Sequence, residues 1–348
     1  MSPPVKLLSV ATAAPPHELP QDQALEVARR LFGHRFAGFD RMAPVFDTTG
    51  IRTRHLVRPV DWYIEPRGWP ERTEAYLQGA GDLFVEAATG ALDEAGLTGA
   101  EVDMIVTVSS TGIATPSLEA RAMDRMGFRP DAVRVPVFGL GCAGGAGGLA
   151  LASRLAASSP GAVVLMVAVE TCSLAFRTDE LTKANIIATA LFGDGAAACV
   201  LRAGETGFAQ VTGLAEHTWP DTLEIMGWKV DPTGFGVIFD RAIPPFAKDN
   251  LRPAMDQMLA GQGLAVEDVD RFICHPGGTK VVEALECCLH LGQGALDHER
   301  AVLADHGNMS APTVLHVLDR TRRAGMPARS ILTSLGPGFT ASTVSLAA

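Results

Sequence analysis

The stretch from Val133 to Leu155, VRVPVFGLGCAGGAGGLALASRL, decides how the rest of the chain is read. Its apolar, partly β-branched opening (Val133, Val135, Val137, Phe138) predicts a buried strand. The strand ends at Gly139-Leu140-Gly141, an apolar helix follows, and Cys142 stands at the junction. A thiol on the first turn of a helix faces unpaired backbone N–H groups and the positive end of the helix dipole, which favour its thiolate. The glycines that follow each cost a helix up to about 1 kcal/mol relative to alanine. They need a reason outside the helix, and close approach of another segment is what glycine permits.

Two other readings compete for this stretch. Gly139-Leu140-Gly141-Cys142-Ala143-Gly144 spells G-x-G-x-x-G after a strand, and a later strand, AVVLMVAVE, ends in Glu170, as a dinucleotide fingerprint would. Cys142 alone fits a small buried hydrophobe. The choice rests on the rest of the chain.

With 348 residues and 47% hydrophobic content, the chain can bury a large core and is long for one ordinary domain. The net charge of −10 and the scattered Lys and Arg residues argue against nucleic acid or an anionic membrane as partner. Six cysteines (142, 172, 199, 274, 287, 288) include no C-x-x-C pair and no His spacing that would complete a zinc site, so no metal is expected. The N-terminal MSPPVKLLSVATAAPP lacks the pattern of a signal peptide, and no apolar run approaches the roughly 18 residues of a membrane span. A reducing cytoplasm, with free thiols and no stable membrane association, is the expectation.

Along the chain, VKLLSVATA (5–13) predicts a strand, and helices are expected at 22–32, 73–94 (closed by Gly96), 117–126 and 179–187. Further strands are expected after Val102, before Cys142, at 162–170 and in ALFGDGAAACVL. Strands alternating with helices indicate an α/β fold with a largely parallel sheet.

The later part repeats the earlier one. Val102-Asp103 before MIVTVSS recurs as Val269-Asp270 before RFICHPGG, an offset of 167. The same offset carries Cys142 into His306-Gly307-Asn308-Met309-Ser310, ahead of a second apolar helix, and carries the strand at 162–170 onto RSILTSLGP. A duplicated βαβ-type core follows. Equivalent helices meeting at its centre would explain the glycines after Cys142. The dinucleotide reading leaves the duplication unexplained.

The repeat supplies partners for the thiol: His275 at the end of a strand and Asn308 just before the matching helix. His275 can act as base or cationic neighbour. Neutral His275, the Asn308 amide and the Cys142 N–H can donate to an oxyanion on a thioester carbonyl. Taken singly, a strand-end His before Pro-Gly-Gly reads as a turn residue and an Asn after Gly as a helix cap. Their repeat-equivalent positions around Cys142 favour a Cys-His-Asn site.

At this point the motifs resemble a family. GLGCAGG around Cys142, LFGDGAAA after Phe192, CHPGG at His275, GNMSAP at Asn308 and GPGF at 336–339 are together similar to type III polyketide synthases, the chalcone-synthase-like branch of the thiolase fold. The resemblance implies a five-layered α-β-α-β-α arrangement, with residues 1–210 as the half carrying Cys142 and 211–348 as the half carrying His275 and Asn308. It implies acyltransferase chemistry, the iterative decarboxylative condensation of malonyl-CoA onto an acyl-CoA starter, with CoA thioesters as substrates, no cofactor, and a homodimer. Phe192 resembles a gatekeeping aromatic. Thr111, Cys172, Ala175, Trp228, Val237, Ser310, Gly336, Pro337, Gly338 and Phe339 fall at implied substrate-binding positions, with a second gatekeeping Phe expected to be replaced near Val237. Arg41 and Lys280 are implied CoA contacts. VETCSLAF and SSTGIATPS resemble bacterial members that make alkylpyrones or alkylresorcinols from long-chain fatty acyl-CoA. A ketoacyl synthase III-like enzyme ranks second, since such enzymes usually carry His-Gln-Ala-Asn where His275-Pro-Gly-Gly stands. Hydroxymethylglutaryl-CoA synthase ranks third, and a non-enzymatic thiolase-fold module would need a vestigial triad.

Overall fold

The computed structural model describes residues 3–348. In the first half lie β1 (Val5–Ala13), β2 (His17–Pro20), β3 (Thr53–Leu56), β4 (Met104–Val108), β5 (Val133–Val137), β6 (Val164–Thr171) and β7 (Asp194–Ala203). The second half contributes β8 (Ala209–Thr218), β9 (Met226–Asp231), β10 (Gly234–Phe239), β11 (Arg271–Cys274), β12 (Arg329–Gly336) and β13 (Thr340–Ala347). One nine-stranded sheet runs β11-β12-β13-β8-β1-β7-β6-β4-β5, with β2/β3 and β9/β10 as separate ribbons.

The order exposes the duplication. Parallel β4/β6, antiparallel β6/β7 and antiparallel β7/β1 are matched by parallel β11/β12, antiparallel β12/β13 and antiparallel β13/β8. The helices Gly144–Ser158 and Ala311–Gly325 have equal length and stand 167 residues apart, as do the 3₁₀ turns Gly99–Glu101 and Val266–Asp268. Even the capping recurs: Asp103 Oδ2 accepts the Val163 N–H at 2.8 Å, and Asp270 Oδ2 accepts the Arg329 N–H at 2.8 Å.

Helices and strands form the expected layers. The helix Trp69–Ala95 packs outside β1, β6 and β7, and Ile243–Ala260 with Thr279–Cys288 covers the second half. Gly144–Ser158 and Ala311–Gly325 lie at the centre, each packed against strands of both halves of that sheet. Burying β6 on both faces needs an uninterrupted apolar run, and VLMVAVET is buried at every position. The central helices touch through glycine. A Cβ on Gly145 would stand 2.3 Å from the Ala311 carbonyl oxygen and 2.4 Å from Val314 Cγ1.

Several expectations need correction. β5 exists, but it is an edge strand and largely exposed, with Val133 at 51% and Phe138, just after it, at 58%. Pro136, which has no N–H to give, marks such an edge. The second half has no counterpart of β5 in its sheet among the described residues. The helix expected at 179–187 spans Lys183–Leu191, because Thr182 caps it through the Asn185 N–H while Arg177 draws Asp179 into an ion pair outside it. The helix expected from Thr73 begins at Trp69, with Pro70 in its first turn and Glu71 accepting the Gly68 N–H. Gly96, at φ 66°, closes it as expected.

Candidate active site

The turn after β5 and the loop after β11 converge on one cavity. Cys142, His275 and Asn308 line it together with Thr111, Cys172, Phe192, Trp228, Val237, Ser310 and Pro337. Cys142 sits in the 3₁₀ turn Gly141–Ala143 that runs directly into the helix Gly144–Ser158. Ser110 Oγ accepts the N–H groups of Gly139 (3.1 Å) and Gly141 (3.2 Å), which fixes that turn from one side. From the other side, Gly336 lies so close that a Cβ there would be 2.4 Å from the Ala143 nitrogen. Pro337 closes on Gly141.

His275 follows β11, and its N–H is held by the Thr333 carbonyl at 2.9 Å. Neither ring nitrogen has a hydrogen-bond partner within the protein, although the residue is buried. Burial pulls its pKa down to about 4, so the imidazole is neutral. Asn308 is pinned through its backbone to Leu191 and Gly193, its Nδ2 donates to the Gly277 carbonyl at 3.2 Å, and its Oδ1 accepts the Ser310 N–H at 2.8 Å. The other amide hydrogen is on the cavity side, where it acts on the Cys142 thiol and can turn to a substrate. Ser310 takes φ 61°, a left-handed conformation that costs a β-carbon residue about 1–3 kcal/mol and is found where function fixes the backbone.

The thiol departs from expectation. Desolvation in the apolar cavity pushes Cys142 up to about 11, against the pull of hydrogen bonds with Ser310 and Asn308 and with Glu170 adding to the rise. Thiol and imidazole thus rest as a neutral pair rather than as thiolate and imidazolium. Glu170, at the end of β6, accepts the Ser110 N–H (2.9 Å) and the Thr111 hydroxyl (2.7 Å), and burial raises it to about 8.

The remaining candidates divide. Ala175 lines an adjacent pocket, walled by Leu19, Ala24, Leu56, Val60 and Phe176, which shares Cys172, Phe192 and Val237 with the first. Phe339 is wholly buried against Phe246 (ring centroids 4.7 Å) and Trp219, Gly338 is a turn at φ 74°, and neither they nor Gly336 form cavity wall. Arg41 and Lys280 are exposed and also stand outside the lining. Close to Val237, Phe239 stands two residues on, on the same strand face, and meets Phe192 at 6.1 Å between ring centroids. Among residues missed, Ser110 and Glu170 hold the nucleophile's surroundings. The Ser109-Ser110-Thr111 run closing a strand beside Cys142 was the available signal. Trp228 Nε1 reaches across to the Ser110 carbonyl at 2.8 Å, tying the β9/β10 ribbon over the cavity.

A thiol at a helix N-terminus, sharing one cavity with a neutral imidazole and an amide donor inside a duplicated α/β/α/β/α core, is the equipment of an acyl-transferring condensing enzyme of the thiolase fold. Family models for chalcone and stilbene synthases match the chain, the N-terminal domain over residues 2–205 and the C-terminal domain over 211–348. The chain belongs to that family, the type III polyketide synthases. A 1,3,6,8-tetrahydroxynaphthalene synthase of Streptomyces peucetius subsp. caesius is 40% identical over 97% of this chain and 92% of its own. A putative chalcone synthase of Bacillus subtilis is 35% identical over 96% of both. The crystal structure of the tetrahydroxynaphthalene synthase from Streptomyces coelicolor A3(2) superposes with a TM-score of 0.93 at 31% identity, covering 98% of this chain and 99% of that one.

Proposed function

We propose that this synthase extends a long-chain fatty acyl-CoA by repeated decarboxylative condensation with malonyl-CoA and releases alkylpyrones or alkylresorcinols. The second chamber carries the choice of starter. Its apolar wall suits an alkyl chain, and Cys172, Phe192 and Val237 are common to it and to the cavity holding Cys142. Each methylene seated there adds about 0.8 kcal/mol of binding.

The chemistry follows from the neutral triad. As Cys142 Sγ attacks the starter thioester, the thiol proton passes to His275, and CoA leaves with that proton as a thiol. Malonyl-CoA then takes its place, its thioester oxygen toward an N–H of His275 and the cavity-side amide hydrogen of Asn308. The C–CO₂ bond breaks, its electron pair becomes an enolate held by those two donors, and the enolate carbon attacks the Cys142 thioester. The cysteine sulfur leaves and is free to receive the longer chain. Phe192 and Phe239 form the gate beside it. Arg41 and Lys280, exposed outside the cavity, serve CoA at its entrance in this reading. The reading involves no cofactor.

Two copies make the working enzyme in this proposal, joined at the exposed apolar edge of β5. A second reading, synthesis of a polyhydroxylated aromatic, is favoured by the names of the tetrahydroxynaphthalene synthases and of a Pseudomonas fluorescens phloroglucinol synthase that is 30% identical. Product mass spectrometry with malonyl-CoA and acyl-CoA starters of increasing length separates them. Long starters should give the higher kcat/KM, and Cys172→Phe should abolish long starters while sparing short ones. Turnover of malonyl-CoA alone, or equal loss for all lengths in Cys172→Phe, would overturn the alkyl reading.

A further inference from the structure

In the first half β4 is covered on its outer side by β5, whose Val137 carbonyl takes the Ser109 N–H at 3.1 Å just before the active-site loop. Its counterpart β11 is the outer strand of the sheet, with no strand beside it there. The edge N–H of Cys274 goes instead to Oε1 of Glu299, at 2.9 Å. Glu299, on the helix Asp297–His306, is fully buried, and its other oxygen pairs with Arg271 Nη2 at 2.6 Å. Arg271 is further anchored to the Ala295 carbonyl (2.7 Å) and Asp297 (2.9 Å). One carboxylate thus grips both ends of β11, and the next residue is His275, whose ring has no hydrogen bond of its own to aim it.

We propose that Glu299 is a positioning residue for His275, standing in for the strand that the second half lacks. The inference rests on the role given to His275 above. Removing the carboxylate leaves the Cys274 N–H without a partner at the strand end and frees β11 to shift, and misplacement by about 1 Å can cost about a hundredfold in rate. Glutamine keeps one acceptor for that N–H but gives up the charge and the second acceptor, so the Arg271 end of the grip is lost while the Cys274 end, next to His275, is kept.

The test measures three things in Glu299→Ala and Glu299→Gln: kcat and KM for malonyl-CoA decarboxylation, starter acylation of Cys142, and the imidazole resonances of His275, assigned with His275→Ala. In Glu299→Ala, kcat for decarboxylation should fall about tenfold to a hundredfold with KM nearly unchanged. Acylation of Cys142 should persist, and the His275 resonances should move. Glu299→Gln should restore most of the rate and the resonance positions. Parallel loss of both half-reactions together with the melting temperature would reduce Glu299 to a structural role. Unmoved His275 resonances in a folded Glu299→Ala would also overturn the proposal. If the parent enzyme does not decarboxylate malonyl-CoA, the reaction assigned above fails, and the resonances still decide the positioning role.

Discussion

At Cys142 and His275 burial outweighs every local effect. The helix terminus that the sequence places behind the thiol favours a thiolate by at most about 2 kcal/mol, whereas desolvation carries the group up to about 11. His275 moves the other way, down to about 4 against an unfolded value of about 6.5. The stability that neutral His275 contributes is whole above the unfolded value and drains away as pH falls toward 4. Malonyl-CoA decarboxylation should accordingly keep its rate from pH 8 down past 6 and lose it near pH 4, with circular dichroism following the fold. An acid limb near 6.5 would show that His275 is exposed to solvent in the working enzyme. Asn308→Ala should lower decarboxylation by about 10² to 10³, or about 3 to 4 kcal/mol, while acylation of Cys142 continues. Parental decarboxylation in that variant would leave Asn308 a purely structural part. That Cys142, His275 and Asn308 meet in one cavity was legible because the repeat sets His275 and Asn308 at positions equivalent to the surroundings of Cys142. The thiol's protonation was not, since it depends on walls built by distant segments such as Trp228 and Val237.

For the elements, the glycines behind Cys142 signalled a close neighbour, and the helix Ala311–Gly325 is that neighbour. Two of them separate cleanly by experiment. A methyl on Gly145 runs into the Ala311 carbonyl at 2.3 Å, backbone that cannot yield, so Gly145→Ala should cost about 1–3 kcal/mol despite alanine's better helix propensity. On Gly147 the nearest atom is Leu140 Cδ1 at 3.3 Å, the far end of a side chain. Gly147→Ala should be neutral or stabilising, by up to about 1 kcal/mol. Denaturant titration of both variants checks the contrast, and equal effects would mean that the two central helices are not locked face to face. Long periodic elements such as Trp69–Ala95 and β1 could be read in advance because their patterns are strong and their ends are punctuated. The β9/β10 ribbon could not. The residues of β9 are half-exposed or exposed, β10 is buried mainly by what it packs on, and the ribbon acquires meaning only by lying over the cavity, where Phe239 meets Phe192.

On the scale of the whole molecule, duplication leaves one asymmetry. The second half seals its outer strand with Glu299, whereas the first half ends in β5, whose outer edge has no strand beside it among the described residues, and Val133 on that strand and Phe138 just after it are more than half exposed. An apolar sheet edge in water is a pairing and aggregation hazard unless something covers it. Neither Arg134 nor Pro136 blunts it fully, because the apolar side chains flank them on the same strand. A second copy bringing the same edge would cover both at once and close the assembly with twofold symmetry. Sedimentation at micromolar concentration should therefore give a mass near twice the 36.6 kDa of one chain. Val133→Lys, at the end of β5 away from Cys142, places a charge in that contact while leaving the buried core untouched. It should shift the equilibrium toward single chains without loss of helical signal. A parent enzyme sedimenting near 36.6 kDa, or a Val133→Lys variant that remains as fully dimeric as its parent, would show that β5 is not where two copies meet.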